Sequence, residues 1–196
     1  MKRYFYQSAV TVIFILLFSG WSFAADRYVN GTTGNDITGD GTVGNPWQTI
    51  QHAIDNSSDN DVIHVAAGTY TEDLAIPSGL DNLEIVGAGT GSSIIQGVDR
   101  LAYTLFPLAD PNIEILGDGT AIHDFTIKNP SWVDGFYSSG MVIGAMYVEI
   151  YDNEFLVAGS DDTDDVSQGL QTYATLDISE LYIHNNDFSD LSSSTA

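Results

Sequence analysis

Along most of this chain the apolar positions fall in short alternating runs set apart by Gly, Asn and Asp: Val62 to Val65, Leu83 to Val86, Ile113 to Leu116, Ile122 to Ile127, Tyr147 to Tyr151 and Leu181 to His184. Runs of this length with a period of two predict β-strands bounded by turns. Ahead of them, Arg27-Tyr28-Val29 predicts a brief opening strand, and residues 31–46, GTTGNDITGDGTVGNP, predict a loop. One stretch changes period. Trp47, Ile50, Ala53 and Ile54 share a face at helical spacing, so a helix is expected from Pro46 to Asp55, with Pro46 in its first turn and Asn45 as its cap.

The strand-bearing segments also match one another at long range. Asn82 to Thr90 aligns with Asn112 to Thr120 at an offset of 30, with Ala88 against Asp118 as the chemical mismatch. Ile150 to Phe155 aligns with Ile183 to Phe188 at 33, and Asp124-Phe125 precedes Glu154-Phe155 by 30. Such periods signal stacked units, and units of several short strands without a helix exclude ankyrin, tetratricopeptide and leucine-rich designs. The expected fold is all-β, a single-stranded right-handed parallel β-helix of about five coils, with the Pro46–Asp55 helix capping its amino-terminal end. Phe125, Phe155 and Phe188 are expected to form one internal stack, and Asn153 and Asn186 a turn ladder of bridging amides in left-handed backbone.

At the amino terminus, Lys2 and Arg3 precede an apolar run from Ala9 to Phe18, and Ser22-Phe23-Ala24 supplies the small residues of a cleavage site. Residues 1–24 therefore read as an export signal, too short an apolar stretch for a bilayer anchor. The expected organisation is this signal, then opening strand, loop and capping helix over 25–60, then coils over 61–196, in a secreted or extracytoplasmic protein free of the membrane after cleavage. Leu191 to Ala196 directly follow a coil signature without a second cap, which is the pattern of a truncated solenoid.

Charge narrows the partners. Lys and Arg total 5 against 27 Asp and Glu, for a net −22 over 196 residues, a surface that repels nucleic acid and anionic lipid and attracts cations. There is no cysteine, so rigidity comes from packing, hydrogen bonds or bound ions.

Tyr28-Val29, GNDITGDGT at 34–42, NPWQTIQHAID at 45–55 and DVIHVAAGTYTED at 61–73 resemble the amino-terminal signature of secreted β-helix proteins of the pectate-lyase-like superfamily. The resemblance implies a polysaccharide-binding or polysaccharide-processing scaffold, a lyase or a hydrolase. In the lyases, acidic residues hold calcium and an Arg or Lys abstracts a proton. Arg27, Arg100 and Lys128 are the basic residues after the signal; Lys128 is the candidate base, or else a surface lysine. Hydrolases of the superfamily use clustered aspartates. Asp161, Asp162, Asp164 and Asp165 form such a cluster, read as a calcium site, as a solvated loop, or, for Asp161 and Asp162, as catalytic acids. The hydrolase elements Gly-His-Gly and Arg-Ile-Lys are absent from the chain. Trp132, Phe136 and Tyr137 lie in a stretch suited to stacking on sugar rings, or to pinning a loop onto a coil. The four histidines, His52, His64, His123 and His184, have no metal-ligand spacing. Two functional classes follow: an exported polysaccharide-active protein, or a non-catalytic surface or secreted β-helix, an adhesin or structural protein, that binds cell-surface glycans or other partners.

Overall fold

A computed structural model describes residues 24–98, 109–128, 137–157, 167–172 and 179–190. The expected export segment lies outside these apart from Ala24. Strand β1 (Asp26–Val29) opens the fold and is followed by helix α1 (Ile50–Asp55). The chain then winds in coils that lay strands in three sheets in turn: β2 (Val62–Val65), β3 (Gly68–Thr71) and β4 (Leu74–Ile76); β5 (Glu84–Val86), β6 (Ser93–Gln96) and β7 (Ala109–Ile115); β8 (Ala121–His123), β9 (Thr126–Lys128) and β10 (Tyr137–Ile143); β11 (Glu149–Tyr151), β12 (Glu154–Val157) and β13 (Ser167–Thr172); and finally β14 (Tyr182–His184) and β15 (Asp187–Asp190). The first sheet runs β1-β2-β5-β8-β11-β14, the second β3-β6-β9-β12-β15 and the third β4-β7-β10-β13. Each strand pairs in parallel with its counterpart in the next coil, for example Ile63 with Ile85 and Ile85 with Ile122. This is the right-handed parallel β-helix that the repeats predict.

Alternation within the strands creates the core. Ile63, Ile85, Ile122 and Ile150 point inward from the first sheet; Tyr70, Ile95, Ile127 and Phe155 do so from the second; Leu74, Ile113 and Met141 from the third. All are buried, at about 1.5–3 kcal/mol of transfer free energy per large side chain. A one-residue slip would turn these columns to solvent, so the register is strongly specified.

The corners repeat too. Two positions before β2, β5, β8, β11 and β14 the backbone is left-handed, at Asn60, Asn82, Gly119, Tyr147 and Glu180. Asn and Gly adopt that conformation at least cost, whereas Tyr147 is held there between neighbouring coils, its N–H donating to Ser179 O (3.1 Å) while Met146 O accepts from Gly119 N (2.8 Å).

Three expectations are corrected by the register. The match of Asn82–Thr90 to Asn112–Thr120 does not mark equivalent positions, because Leu83 to Val86 lead into the first sheet through β5 while Ile113 to Ile115 lie in β7 of the third. An aliphatic run followed by a Gly turn serves more than one side of the coil, so local similarity does not identify the side. Phe125 is not in the phenylalanine stack: Phe155 pairs with Ile127 on one side and Phe188 on the other, while Phe125 donates its backbone N–H to Asn153 Oδ1 (3.0 Å). The left-handed residues at that corner are Asp124, Asp152 and Asn185, each immediately after a strand, rather than Asn153 and Asn186.

The helix begins later than its periodicity suggests. Trp47 is extended, donating to Tyr28 O (3.0 Å) and accepting from Asn30 N (2.9 Å), so it belongs with β1, and Thr49 is the cap. Ile50, Ala53 and Ile54 bury the helix against the first coil. Its leading N–H groups are satisfied from distant loops. Glu72 accepts from Ile50 and Gln51 (2.9 Å each), and Asp36 accepts from Gln48 and Thr49 N–H and from the Thr49 hydroxyl. Burial alone would raise Asp36, but the Thr49 hydroxyl, the two N–H groups and His52 hold its carboxyl below the ordinary value. Burial dominates at Glu72 and raises it, despite the two N–H donors.

These opposite shifts predict opposite pH dependences. The contribution of Asp36 is present above its unfolded pKa of about 4 and is lost as pH falls through the folded value. That of Glu72 is complete below its unfolded pKa and declines as pH rises through the folded value. Asp36→Asn is expected to unfold about 1 kcal/mol more easily at neutral pH, with the gap to the parent closing on acidification. For Glu72→Gln the comparison should shift the other way, in favour of the parent as pH falls. Thermal unfolding from neutral pH to about pH 3 reads both, and parallel profiles for Asp36→Asn and the parent would reject the linkage.

Candidate functional site

The outer face of the first sheet carries the most organised group of polar and aromatic side chains among the described residues. Register aligns Tyr28, His64, Val86, His123, Tyr151 and His184 in one outward column, one residue per coil. A second column, two residues earlier on each strand, holds Asp26, Val62, Glu84, Ala121, Glu149 and Tyr182. The rings stack along the axis: Tyr28 on His64 (centroids 5.0 Å), His123 on Tyr151 (4.3 Å) and Tyr151 on His184 (5.2 Å), all within 22° of parallel.

Carboxylates and imidazoles pair diagonally across the columns. Asp26 meets His64 (2.8 Å), Glu84 meets His123 (3.1 Å) and Glu149 meets His184 (3.1 Å), a pattern that recurs every second coil, or about every 10 Å. His123 is buried and also meets Asp124 at 2.7 Å, so both ring nitrogens are engaged. The Tyr151 hydroxyl is raised above its ordinary pKa by burial first and then by the negative field of Glu84, Glu149, Asp124 and Asp152, which keeps it a proton donor. The face thus offers carboxylates that accept hydroxyl hydrogens, imidazoles that hold or pass a proton, and tyrosine hydroxyls that donate. No group of three or more His, Asp or Glu among the described residues is arranged to hold a metal ion.

Several sequence-derived candidates are positioned and several are not. Lys128 ends β9 on the outer face of the second sheet, half-buried; its carbonyl accepts from Gly97 N (3.0 Å) and from the Asn112 amide. It lies on a different sheet from the histidine and tyrosine columns. Asp161, Asp162, Asp164 and Asp165, with the calcium expectation attached to them, lie outside the described residues, as do Trp132, Phe136 and Arg100. Tyr137 opens β10. Arg27 is a structural cation: its Nε donates to buried Asp61 at 3.1 Å and its guanidinium lies 5.8 Å from the Trp47 ring. Asn153 is buried and Asn186 half-buried, and they stack, with Asn153 N–H and Nδ2 both donating to Asn186 Oδ1.

Sequence reasoning missed the outward columns because each contributes a single residue per coil, at unequal spacings. Alternation in each strand contains the signal, but it becomes readable only once the strands are in register. It also missed Tyr70, whose hydroxyl donates to Ala66 O (2.8 Å) and accepts from Gly31 N (3.2 Å), tying the opening loop to the first coil.

The three stacked parallel sheets define a parallel β-helix, the fold of the pectate-lyase-like superfamily. Residues 36–175 match the family model described as Pectinesterase, and the chain belongs to the pectinesterase family. Among similar proteins, Pectinesterase 2 of Citrus sinensis is 28% identical over 167 residues, covering 82% of this chain and 32% of that protein. Probable pectinesterase/pectinesterase inhibitor 64 of Arabidopsis thaliana is 29% identical over 125 residues, covering 60% of this chain and 20% of its own length. The chain therefore spans a fifth to a third of these relatives. In structure it is similar to the pectin methylesterase from carrot, with a TM-score of 0.54, 16% identity and coverage of 87% of this chain and 54% of that one. For the deglycosylated pectin methylesterase from Aspergillus niger the TM-score is 0.51 at 15% identity, covering 89% and 83%. At these identities the structural likeness speaks for the fold.

Proposed function

We propose that this chain is part of an exported esterase acting on pectin, in which water cleaves the methyl ester of a galacturonate unit, releasing methanol and leaving a carboxylate and a proton. The family match over residues 36–175 carries this reading. It keeps the hydrolase expectation and drops the lyase, with water directed at the ester rather than at the glycosidic bond, so the polymer backbone is left intact. The outer face of the first sheet supports the reading: its carboxylates and tyrosine hydroxyls are suited to the hydroxyls of a sugar chain. The basic start and apolar run of residues 1–24 support delivery to a compartment where such a polymer is met.

Incubation of the protein with highly methyl-esterified pectin is expected to release methanol with no gain in the ultraviolet absorbance of unsaturated uronates and no fall in viscosity. Absorbance without methanol would overturn the esterase in favour of a lyase, and a loss of viscosity without either product would favour a glycosidase.

A further inference from the structure

We infer that Asp61 is the receptor for a new amino terminus: removal of residues 1–24 creates an α-ammonium on Ala25 that pairs with the buried Asp61 carboxylate and stabilises the first coil. The step is a hydrolysis by a peptidase of the export path. Water adds across the Ala24–Ala25 bond, leaving a carboxylate on Ala24, which departs with residues 1–23, and an ammonium on Ala25. The inference rests on export of the chain and is independent of the reaction on pectin.

Register brings the two residues together. β1 and β2 pair Asp26 with Val62, and one residue further back the same parallel ladder sets Ala25 beside Asp61. Val62 N–H donates to Ala25 O (3.0 Å), and Ala25 N donates to Asp61 Oδ1 at 2.8 Å. Position 25 is therefore fixed at both of its backbone ends. Ala24, on the other side of the bond, is exposed and within reach of a peptidase. Ser22 and Ala24 are also the small residues that mark this bond for cleavage. The export pattern and the buried acid thus fall on one and the same peptide bond.

Asp61 is placed to receive positive charge. It is 1% exposed, and a carboxylate taken that far from water needs charged or multiple donors. Its Oδ2 accepts from Arg27 Nε and from Ser58 N–H (3.1 Å each), the latter closing the turn after α1. Among the described residues, its Oδ1 has Ala25 N as partner. In the uncut chain that partner is a neutral amide. After cleavage it is an ammonium, charged at neutral pH because an α-amino group has an ordinary pKa of about 8. The bond then joins the stronger, charge-assisted class. Ala25 is half-buried, so the ammonium keeps part of its hydration and the desolvation cost stays small. The precursor lacks this pair and is the less stable form.

Mass spectrometry of the exported protein is expected to give Ala25 as its first residue. That form should melt about 2–4 °C above one in which Ser22-Phe23-Ala24 is kept ahead of Ala25, the scale for a chain of this size when a charged bond replaces a neutral one. Acetylating the α-amine keeps an N–H and removes the charge. Lys128 is the sole lysine beyond residue 24, so a Lys128→Arg background confines the reaction to the terminus. The acetylated form should lose the whole gain, whereas in Asp61→Asn acetylation should leave the melting temperature unchanged. A first residue other than Ala25, equal or higher melting of the acetylated form, or the same loss on acetylation in Asp61→Asn would each overturn the inference. Should Asp61→Asn fail to fold, the free and acetylated forms of the Lys128→Arg protein decide alone.

Discussion

Replacing Asn153 by leucine, a side chain of similar size, is expected to destabilise the protein by about 3–5 kcal/mol, because the cost of stranding several buried polar groups exceeds any gain from added apolar surface. Asn153 is 1% exposed and serves three coils at once. Its Oδ1 accepts from Phe125 N–H (3.0 Å), while Nδ2 donates to Ile122 O (2.9 Å), Tyr151 O (2.9 Å) and Asn186 Oδ1 (3.2 Å). Leucine satisfies none of these partners, and aspartate fares no better, since its second oxygen would face two carbonyls. Asn186 makes the same bond to the coil below, from Nδ2 to Ile150 O (2.8 Å), but is half-buried, so Asn186→Leu should cost only about 1 kcal/mol. Urea unfolding followed by circular dichroism measures both. A loss below about 1 kcal/mol at Asn153 would mean that water replaces the ladder and that the corner is not the inter-coil clasp it looks to be.

Phe155→Ala is expected to rank beside it, at about 3–5 kcal/mol, through cavity formation rather than unpaired polarity. The ring is fully buried between Ile127 and Phe188, parallel to the latter at 4.7 Å and 8°. On the third side β13 lies alongside, where a Cβ at Gly169 would stand in ordinary contact with the Phe155 Cβ at 3.7 Å. Phe188 in the last described coil is 52% exposed, and Phe188→Ala should cost less than half as much. Equal melting temperatures for the two variants would show that burial does not control this stack.

The site shows why some features were readable and others not. The helix announced itself by the spacing of Ile50, Ala53 and Ile54, a local pattern, but its first turn was misjudged because the Trp47 backbone is claimed by β1 and the early N–H groups by Asp36 and Glu72. No local rule anticipates partners more than ten residues away. The Ile150–Phe155 match to Ile183–Phe188 located equivalent strands because the intervening segments are nearly equal in length. The Asn82 and Asn112 match failed because the second coil takes a longer path between β6 and β8 than the first takes between β3 and β5.

By itself, the sequence determined the architecture: alternation set which side chains enter the core, Gly and Asn set where the chain turns, and a long period without helices left a β-solenoid as the fold able to bury such strands. Tertiary structure alone decided which strand lies over which, and with that the histidine and tyrosine column, its carboxylate partners and the approach of Ala25 to Asp61. The physical reason is that a solenoid builds its outer face from one residue per coil, so neighbours in space are strangers in sequence until hydrogen-bond register brings them together.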